Sequence, residues 1–392
     1  MIVKPKYKGF ICTTAHPTGC RKNVEDMAAK AGKIRADGGK HPKNVVIIGA
    51  SGGYGLASRI VAAFAYKART VGVSFEKEAT EKHTATAGFY NNRAFDALAE
   101  KNGIPHRTLN GDAFTDEMKS EVVAACRDLF GGEKIDLLVY SLAAPKRRHP
   151  ATQALHSSVI KPVDEPYDSK TVDFHTGIVS RVTIQPAGET EIADTVKVMG
   201  GEDWQMWVDR LIAENLVADG FLTVAYSYIG SSITHAIYRD GTIGKAKDDL
   251  LARCEAIEET LKPFHGNAYV SVNKALVTQA SSAIPVVPLY VSLLYKVMKR
   301  KGLQEDCFDQ IARLFTDRLY GPDHDVFDDQ GRIRMDDLEM RADVQAEVDK
   351  FWPLIDSGNV MELTDLEGYR KEFFGLFGFG RDDVDYDQDV NI

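Results

Sequence analysis

The chain has 392 residues, 44% of them hydrophobic and 27% charged, with 48 Lys and Arg against 57 Asp and Glu. That is ordinary globular composition, which excludes a wholly disordered or collagen-like chain. The net charge of -9 supplies no basic excess to displace counterions, which argues against broad nucleic-acid binding. The start, Met1-Ile2-Val3-Lys4-Pro5-Lys6, is broken by charge and proline, so it does not read as a secretory signal. The most apolar window, Ala283 to Met298, contains two prolines and Lys296 and is a poor membrane span. Five scattered cysteines (Cys12, Cys20, Cys126, Cys254 and Cys307), none in a CxxC pair, suit free thiols in a reducing cytoplasm. The ten histidines form no metal-spaced pair.

In chain order, the first strong element is Asn44–Ile48, a short β-branched run typical of a strand buried on both faces. A helix is expected from Gly55 to Tyr66, a strand over Thr70–Phe75 and a helix over Arg93–Lys101 stopped by Asn102-Gly103. A strand near His106–Leu109, a helix over Thr115–Phe130 and a strand over Asp136–Tyr140 follow. Repeated strand–helix units of this length predict an α/β fold, a Rossmann-like doubly wound parallel sheet. Residues 145–200 break the rhythm and read as an irregular or hairpin-rich insertion. The sheet pattern resumes at Phe221–Tyr226, with a helix over Gly244–Leu261 and a strand over Ala268–Val272. The last 120 or so residues read as an elaborated helical substrate-binding region. The expected layout is one large domain: 1–144 as the cofactor half, 145–200 as the insertion, 201–392 as the catalytic and substrate half. The tail from Arg381 carries five Asp and reads as solvated.

Directly after the first buried strand comes Gly49-Ala50-Ser51-Gly52-Gly53-Tyr54-Gly55. Small residues at such a turn let the backbone approach a pyrophosphate, and the next helix aims its positive end at that anion. The spacing differs from G-x-G-x-x-G, so strand and helix context carry the reading. Phe75-Glu76 closes the second strand roughly twenty residues on, where an acidic side chain receives ribose hydroxyls. A carboxylate there repels a 2′-phosphate and so favours NADH over NADPH. Asp112-Ala113 after the third strand is placed to flank the adenine. Ser141-Leu142-Ala143-Ala144 after the fourth is placed beneath the nicotinamide ribose.

The loop is also formally Gly-x-Ser-x-Gly, a hydrolase elbow on Ser51, but no later His is tied to it. Short-chain reductases use Tyr-x3-Lys, and the match Tyr295-x3-Lys299 lies too late in the chain. The expected region offers Tyr238 with Lys245 or with Lys247. The two lysines differ by roughly 200° around a helix, so both are not expected to face one site. His235, Asp323-His324-Asp325 and Asp328-Asp329 read as packing and acidic-turn residues.

Tyr238-x8-Lys247, with Ala225-Tyr226-Ser227-Tyr228-Ile229-Gly230 upstream, resembles the FabV-type trans-2-enoyl-CoA/enoyl-ACP reductases, an enlarged short-chain dehydrogenase/reductase branch. Ala15–Cys20, Gly55–Arg59, Val73–Glu76, Val198–Trp204, Gly241–Lys247 and Val270–Thr278 agree with it. The resemblance implies NADH-dependent reduction of the carbon–carbon double bond of an enoyl thioester carried on coenzyme A or acyl carrier protein. It implies NADH contacts from Gly49, Ala50, Ser51, Gly52, Gly53, Tyr54, Phe75, Glu76, Asp112, Ala113, Leu142 and Ala143. Leu276, Val277 and Thr278 would close over the nicotinamide end. Tyr238 would be the catalytic acid, Lys247 its cofactor-binding partner and Tyr228 a substrate contact. An ammonium beside Tyr238 would lower its phenol pKa. Ile284–Tyr290 reads as an acyl-tunnel wall or as core, and Lys146-Arg147-Arg148 as a basic patch for a phosphate-bearing carrier. The family tilts toward a monomer. Rival readings are a short-chain carbonyl reductase or epimerase, a serine hydrolase on Ser51 and a non-catalytic NADH sensor.

Overall fold

The computed structural model describes residues 1–9, 11–35 and 41–392. Its centre is a seven-stranded sheet, all parallel: β1 (Asn44–Ile48), β2 (Arg69–Ser74), β3 (His106–Asn110), β4 (Ile135–Tyr140), β5 (Val217–Ser227), β6 (Asn267–Val272) and β7 (Ile333–Arg334). Their order in space is β7-β6-β5-β4-β1-β2-β3. All five residues of β1 are buried, as expected of a strand covered on both faces. The order reverses between β1 and β4, so their carboxyl ends open a crevice where ligands of such sheets bind.

Helices cover both faces: α1 (Pro17–Ala31), α2 (Gly53–Ile60), α3 (Ala87–Lys101), α4 (Asp116–Phe130), α5 (Glu189–Met199), α6 (Glu202–Ala213) and α7 (Thr242–Leu261). The C-terminal part adds α8 (Val287–Arg300), α9 (Cys307–Arg313), α10 (Ala342–Phe351), α11 (Val360–Leu363) and α12 (Leu366–Gly375). One core packs α4, α6 and α7 against one face of the sheet, through Val122, Trp204, Trp207 and Ile257. A second packs α1, α2, α3 and α9 on the other, through Val24, Ile60, Phe95 and Ile311. A third lies under α8, α10 and α12, around Tyr290, Tyr295, Tyr369 and Phe373.

The differences from expectation are local. The helix expected over Gly55–Tyr66 is α only to Ile60 and finishes as a π-turn over Val61–Ala65. α3 starts six residues before Arg93, with Gly88 in its first turn. The 145–200 segment holds two hairpins, Lys146–Arg148 with Leu155–Ser157 and Tyr167–Asp173 with Ile178–Ile184, followed by α5. The tail is not merely solvated. Its Asp383 pairs with Lys22 and Arg381, Asp387 with Lys4 and Asp389 with the chain's amino terminus, while Tyr386 packs on His16. No helix among the described residues is long and apolar enough to cross a membrane.

Candidate active site

The β1–α2 turn is built for close backbone approach. Gly49 has φ +90° and Gly53 φ +51°, the left-handed region that favours glycine. A Cβ on Gly49 would strike the Ser141 carbonyl at the end of β4, and one on Gly55 would strike the Gly49 carbonyl. No side chain caps the N-terminus of α2, and Gly52, Gly53 and Tyr54 there line the crevice.

The crevice opens into a cleft of about 1690 Å³. Its wall carries Gly49, Ser51, Gly52, Gly53, Tyr54, Phe75, Glu76, Asp112, Ala113, Leu142, Ala143, Leu276, Val277 and Thr278. Ala50 is buried just behind. Thus the loops after β1, β2, β3, β4 and β6 meet at one surface. These residues fit a dinucleotide: a glycine cradle at a helix N-terminus, a carboxylate at the end of β2 and an aromatic edge, Phe75, 77% exposed.

Ser51 Oγ donates to Glu76 Oε1 at 2.5 Å, and Asn91 Nδ2 donates to the Ser51 carbonyl at 2.9 Å. The Ser51 hydroxyl is committed to a carboxylate, and no histidine is among its hydrogen-bond partners, which disfavours the hydrolase elbow. Asn110 clamps the Glu76 backbone by accepting from its N–H at 2.7 Å and donating to its carbonyl at 3.0 Å. The 112–114 turn is pinned from below. Lys119 Nζ donates to the carbonyls of Ala113 (3.2 Å) and Phe114 (3.3 Å) and pairs with buried Asp203 at 2.8 Å. Neither Lys119 nor Asp203 was visible as a site residue in the sequence, because their contact spans two helices.

Tyr238, Tyr228 and Lys247 are not on the cleft wall; Tyr238 is buried, and Tyr228 and Lys247 are half-buried. The Tyr228 and Tyr238 rings meet edge to face, 4.6 Å between centroids. Lys247, on α7, donates to the Tyr226 carbonyl at 3.1 Å, whereas Lys245 points to solvent. Tyr54 joins the two regions: it lines the cleft, packs on Tyr226 and donates to the Lys274 carbonyl at 2.8 Å. Burial pulls the Lys247 ammonium down to about 8. The expected lowering of the Tyr238 phenol is overturned. Burial, with the charges of Tyr369 and Glu339, pushes it up, and Lys247 has no hydrogen bond to it.

Leu276–Thr278 is tied by Ser281, whose hydroxyl donates to the Leu276 carbonyl and accepts from the Thr278 N–H. Val277 N–H donates to the Tyr295 hydroxyl at 3.2 Å, so Tyr295 is a strut for this segment; Lys299 of the short motif pairs with Asp365 and lies over the Tyr295 ring, and both residues line the cleft. Ile284, Val286, Val287, Leu289 and Tyr290 are core and none is on the cleft wall, which favours the core alternative. The basic patch is also corrected: Arg147 is buried, bonded to Glu202 and to the Lys197 carbonyl, and only Lys146 reaches the cleft rim. His235 is spent on the Gly230 carbonyl. Glu339, which the sequence did not single out, is fully buried and accepts from Tyr228, Tyr290 and the Ala275 N–H.

Comparison with known proteins bears on this geometry. Family models match as "NAD(P)H binding domain of trans-2-enoyl-CoA reductase" over residues 2–81, "Trans-2-enoyl-CoA reductase catalytic region" over 83–320 and "Enoyl reductase FAD binding domain" over 327–390. A trans-2-enoyl-CoA reductase [NADH] of Ruminiclostridium cellulolyticum is 52% identical, covering 100% of this chain and 98% of its own. An enoyl-[acyl-carrier-protein] reductase [NADH] of Opitutus terrae is 51% identical with the same coverage. The crystal structure of Clostridium acetobutulicum trans-2-enoyl-CoA reductase in complex with NADH is 46% identical, with a TM-score of 0.96 over 100% of this chain and 98% of that one. That of Treponema denticola trans-2-enoyl-CoA reductase with NAD is 48% identical, also with a TM-score of 0.96.

The flavin in the third description does not fit residues 327–390. That stretch has no strand–glycine turn–helix cradle of its own, and its rings Tyr369, Phe373, Phe377 and Phe379 are core. The N-terminus of its helix α12 is capped by Asp365. The dinucleotide cleft and the full-length likeness agree: this chain belongs to the trans-2-enoyl-CoA/enoyl-[acyl-carrier-protein] reductase family.

Proposed function

We propose that the protein reduces the carbon–carbon double bond of trans-2-enoyl thioesters with NADH. One observation carries this reading: full-length identity near 50% to reductases of that name, joined to a cleft whose wall holds the dinucleotide-type residues. Bound NADH supplies the hydride. The chain's own residues bind, orient and protonate.

In this reading the β1–α2 turn holds the pyrophosphate, Glu76 the adenosine ribose and Asp112-Ala113 the adenine side. Leu142-Ala143 and Leu276–Thr278 enclose the nicotinamide end, and Lys247 holds its ribose. As the β-carbon of the thioester is reduced, negative charge gathers on the thioester oxygen. Tyr238 donates a hydrogen bond there, and one such donor is commonly worth about 3 kcal/mol. The burial that raises the phenol pKa keeps Tyr238 protonated, the form a donor needs. Tyr228, edge-on to Tyr238, orients the thioester. The segments 1–144, 145–200 and 201–392 act as one reductase unit.

The carrier is coenzyme A or acyl carrier protein, since relatives of nearly equal identity carry either name. Five unpaired thiols support a cytoplasmic enzyme, and the family resemblance supports a monomer. The test is to mix protein, NADH and crotonyl-CoA and follow NADH absorbance. Loss of absorbance supports the reading. Its absence with crotonyl-CoA, longer enoyl-CoAs and enoyl-ACP overturns it, and NADH consumption with ketones or nucleotide sugars would favour the carbonyl reductase instead.

A further inference from the structure

Glu339 lies in the loop that follows β7, at the same carboxyl edge of the sheet as the cofactor cleft. The loop is fixed to β6 because Met335 and Asp336 N–H both donate to the Val272 carbonyl, at 2.8 and 3.1 Å. Its carboxylate is 0% exposed, and buried Lys274, next to Ala275, is the nearby positive charge that favours its ionised form. A buried acid is costly unless it is hydrogen-bonded, and this one has three donors. They come from three separate places. The Tyr290 hydroxyl of α8 donates to Oε1 at 2.7 Å, and the Tyr228 hydroxyl, just past β5, donates to the same oxygen at 3.3 Å. The Ala275 N–H, just past β6, donates to Oε2 at 2.7 Å.

Those partners are informative. Tyr228 is the ring that meets Tyr238 edge to face. Ala275 immediately precedes Leu276–Thr278, the segment on the cleft wall. One carboxylate therefore bridges the substrate tyrosine and the segment that encloses the cofactor. The lengths divide the work: the short bond to Tyr290 anchors the carboxylate, while the longer one to Tyr228 leaves that hydroxyl able to turn toward a thioester oxygen. Glu339 also stands outside residues 83–320, the stretch matched as catalytic region.

We propose that Glu339 is a positioning residue for enoyl-thioester reduction, holding the Tyr228 hydroxyl in register with the Leu276–Thr278 segment. The proposal rests on the reductase reading above.

The experiment is a double-mutant cycle of Glu339→Gln and Tyr228→Phe. Its readouts are kcat/KM for crotonyl-CoA and, so that slow variants still report, the Kd of butyryl-CoA by calorimetry in the presence of NAD+. If Glu339 acts through Tyr228, Glu339→Gln alone lowers kcat/KM by about tenfold, and adding it to Tyr228→Phe changes either readout by less than about twofold. A merely structural role would give losses that multiply, and that result overturns the proposal. Should Glu339→Gln lack a cooperative melt, Tyr290→Phe, which removes one hydroxyl from the same carboxylate, takes its place with the same two outcomes. Wild type that consumes no NADH with any enoyl thioester defeats the reductase reading itself. Wild type that turns over with a multiplicative cycle defeats the Glu339 role alone.

Discussion

The roles proposed for Tyr238 as donor, Lys247 as anchor and Glu76 as selector each have their own measurement. Tyr238→Phe keeps the ring in its packed place and removes only the hydroxyl. Turnover of crotonyl-CoA should fall about a hundredfold or more while NADH affinity holds within about twofold. Lys247→Met should abolish turnover and Lys245→Met leave it nearly intact, because only Lys247 turns inward from α7. The pH dependence follows from burial. Lys247 is an ammonium below about 8 and neutral above, so it loses its charge as pH rises. The kcat/KM for NADH should therefore decline through about pH 8. Lys274 is also held near 8, so the assignment requires that the alkaline limb vanish in Lys247→Met. Glu76→Ala should narrow the NADH over NADPH preference by about tenfold, read as the ratio of the two kcat/KM values; an unchanged ratio removes Glu76 from that role.

Elements explain why some of the site was legible and some was not. Strands β1, β2, β4 and β6 were readable from β-branched runs, and the loops after them followed from the rule that parallel sheets bind ligands at carboxyl edges. The start of α3 lies six residues before the expected Arg93 and includes Gly88, whose place is set by space: a Cβ would strike the Glu76 carboxylate. Glu339 was illegible because its meaning depends on a contact with Tyr228 across 111 residues of chain. The Lys119–Asp203 pair is similar, joining the 112–114 turn to α6. Both side chains are nearly fully buried, at 3% and 2% exposure. Removing one partner leaves an uncompensated charge, which costs about 3–5 kcal/mol. Lys119→Met should thus lower the melting temperature and raise KM for NADH, with kcat at saturating NADH little changed. Loss of kcat alone would show that the turn does not serve the cofactor.

At the scale of the molecule, the C-terminal stretch and the N-terminal extension complete the cleft together. Thr13–Ala15 stand on one part of its wall and Phe377–Arg381 on another, and the two are joined where His16 N–H donates to the Phe377 carbonyl at 2.8 Å. A Cβ on Gly19 would strike the Gly378 carbonyl, so α1 and the turn after α12 are in direct backbone contact. Two aromatic rings of 327–390, Phe373 and Tyr369, are fully buried by this packing. A flavin would need its phosphates cradled, and this stretch offers no glycine turn after its strand. The protein should therefore purify without flavin absorbance, and added FAD should not change its rate of crotonyl-CoA reduction. Stoichiometric flavin that survives dialysis, or activity that depends on added FAD, would show that residues 327–390 open into a site that their present packing closes.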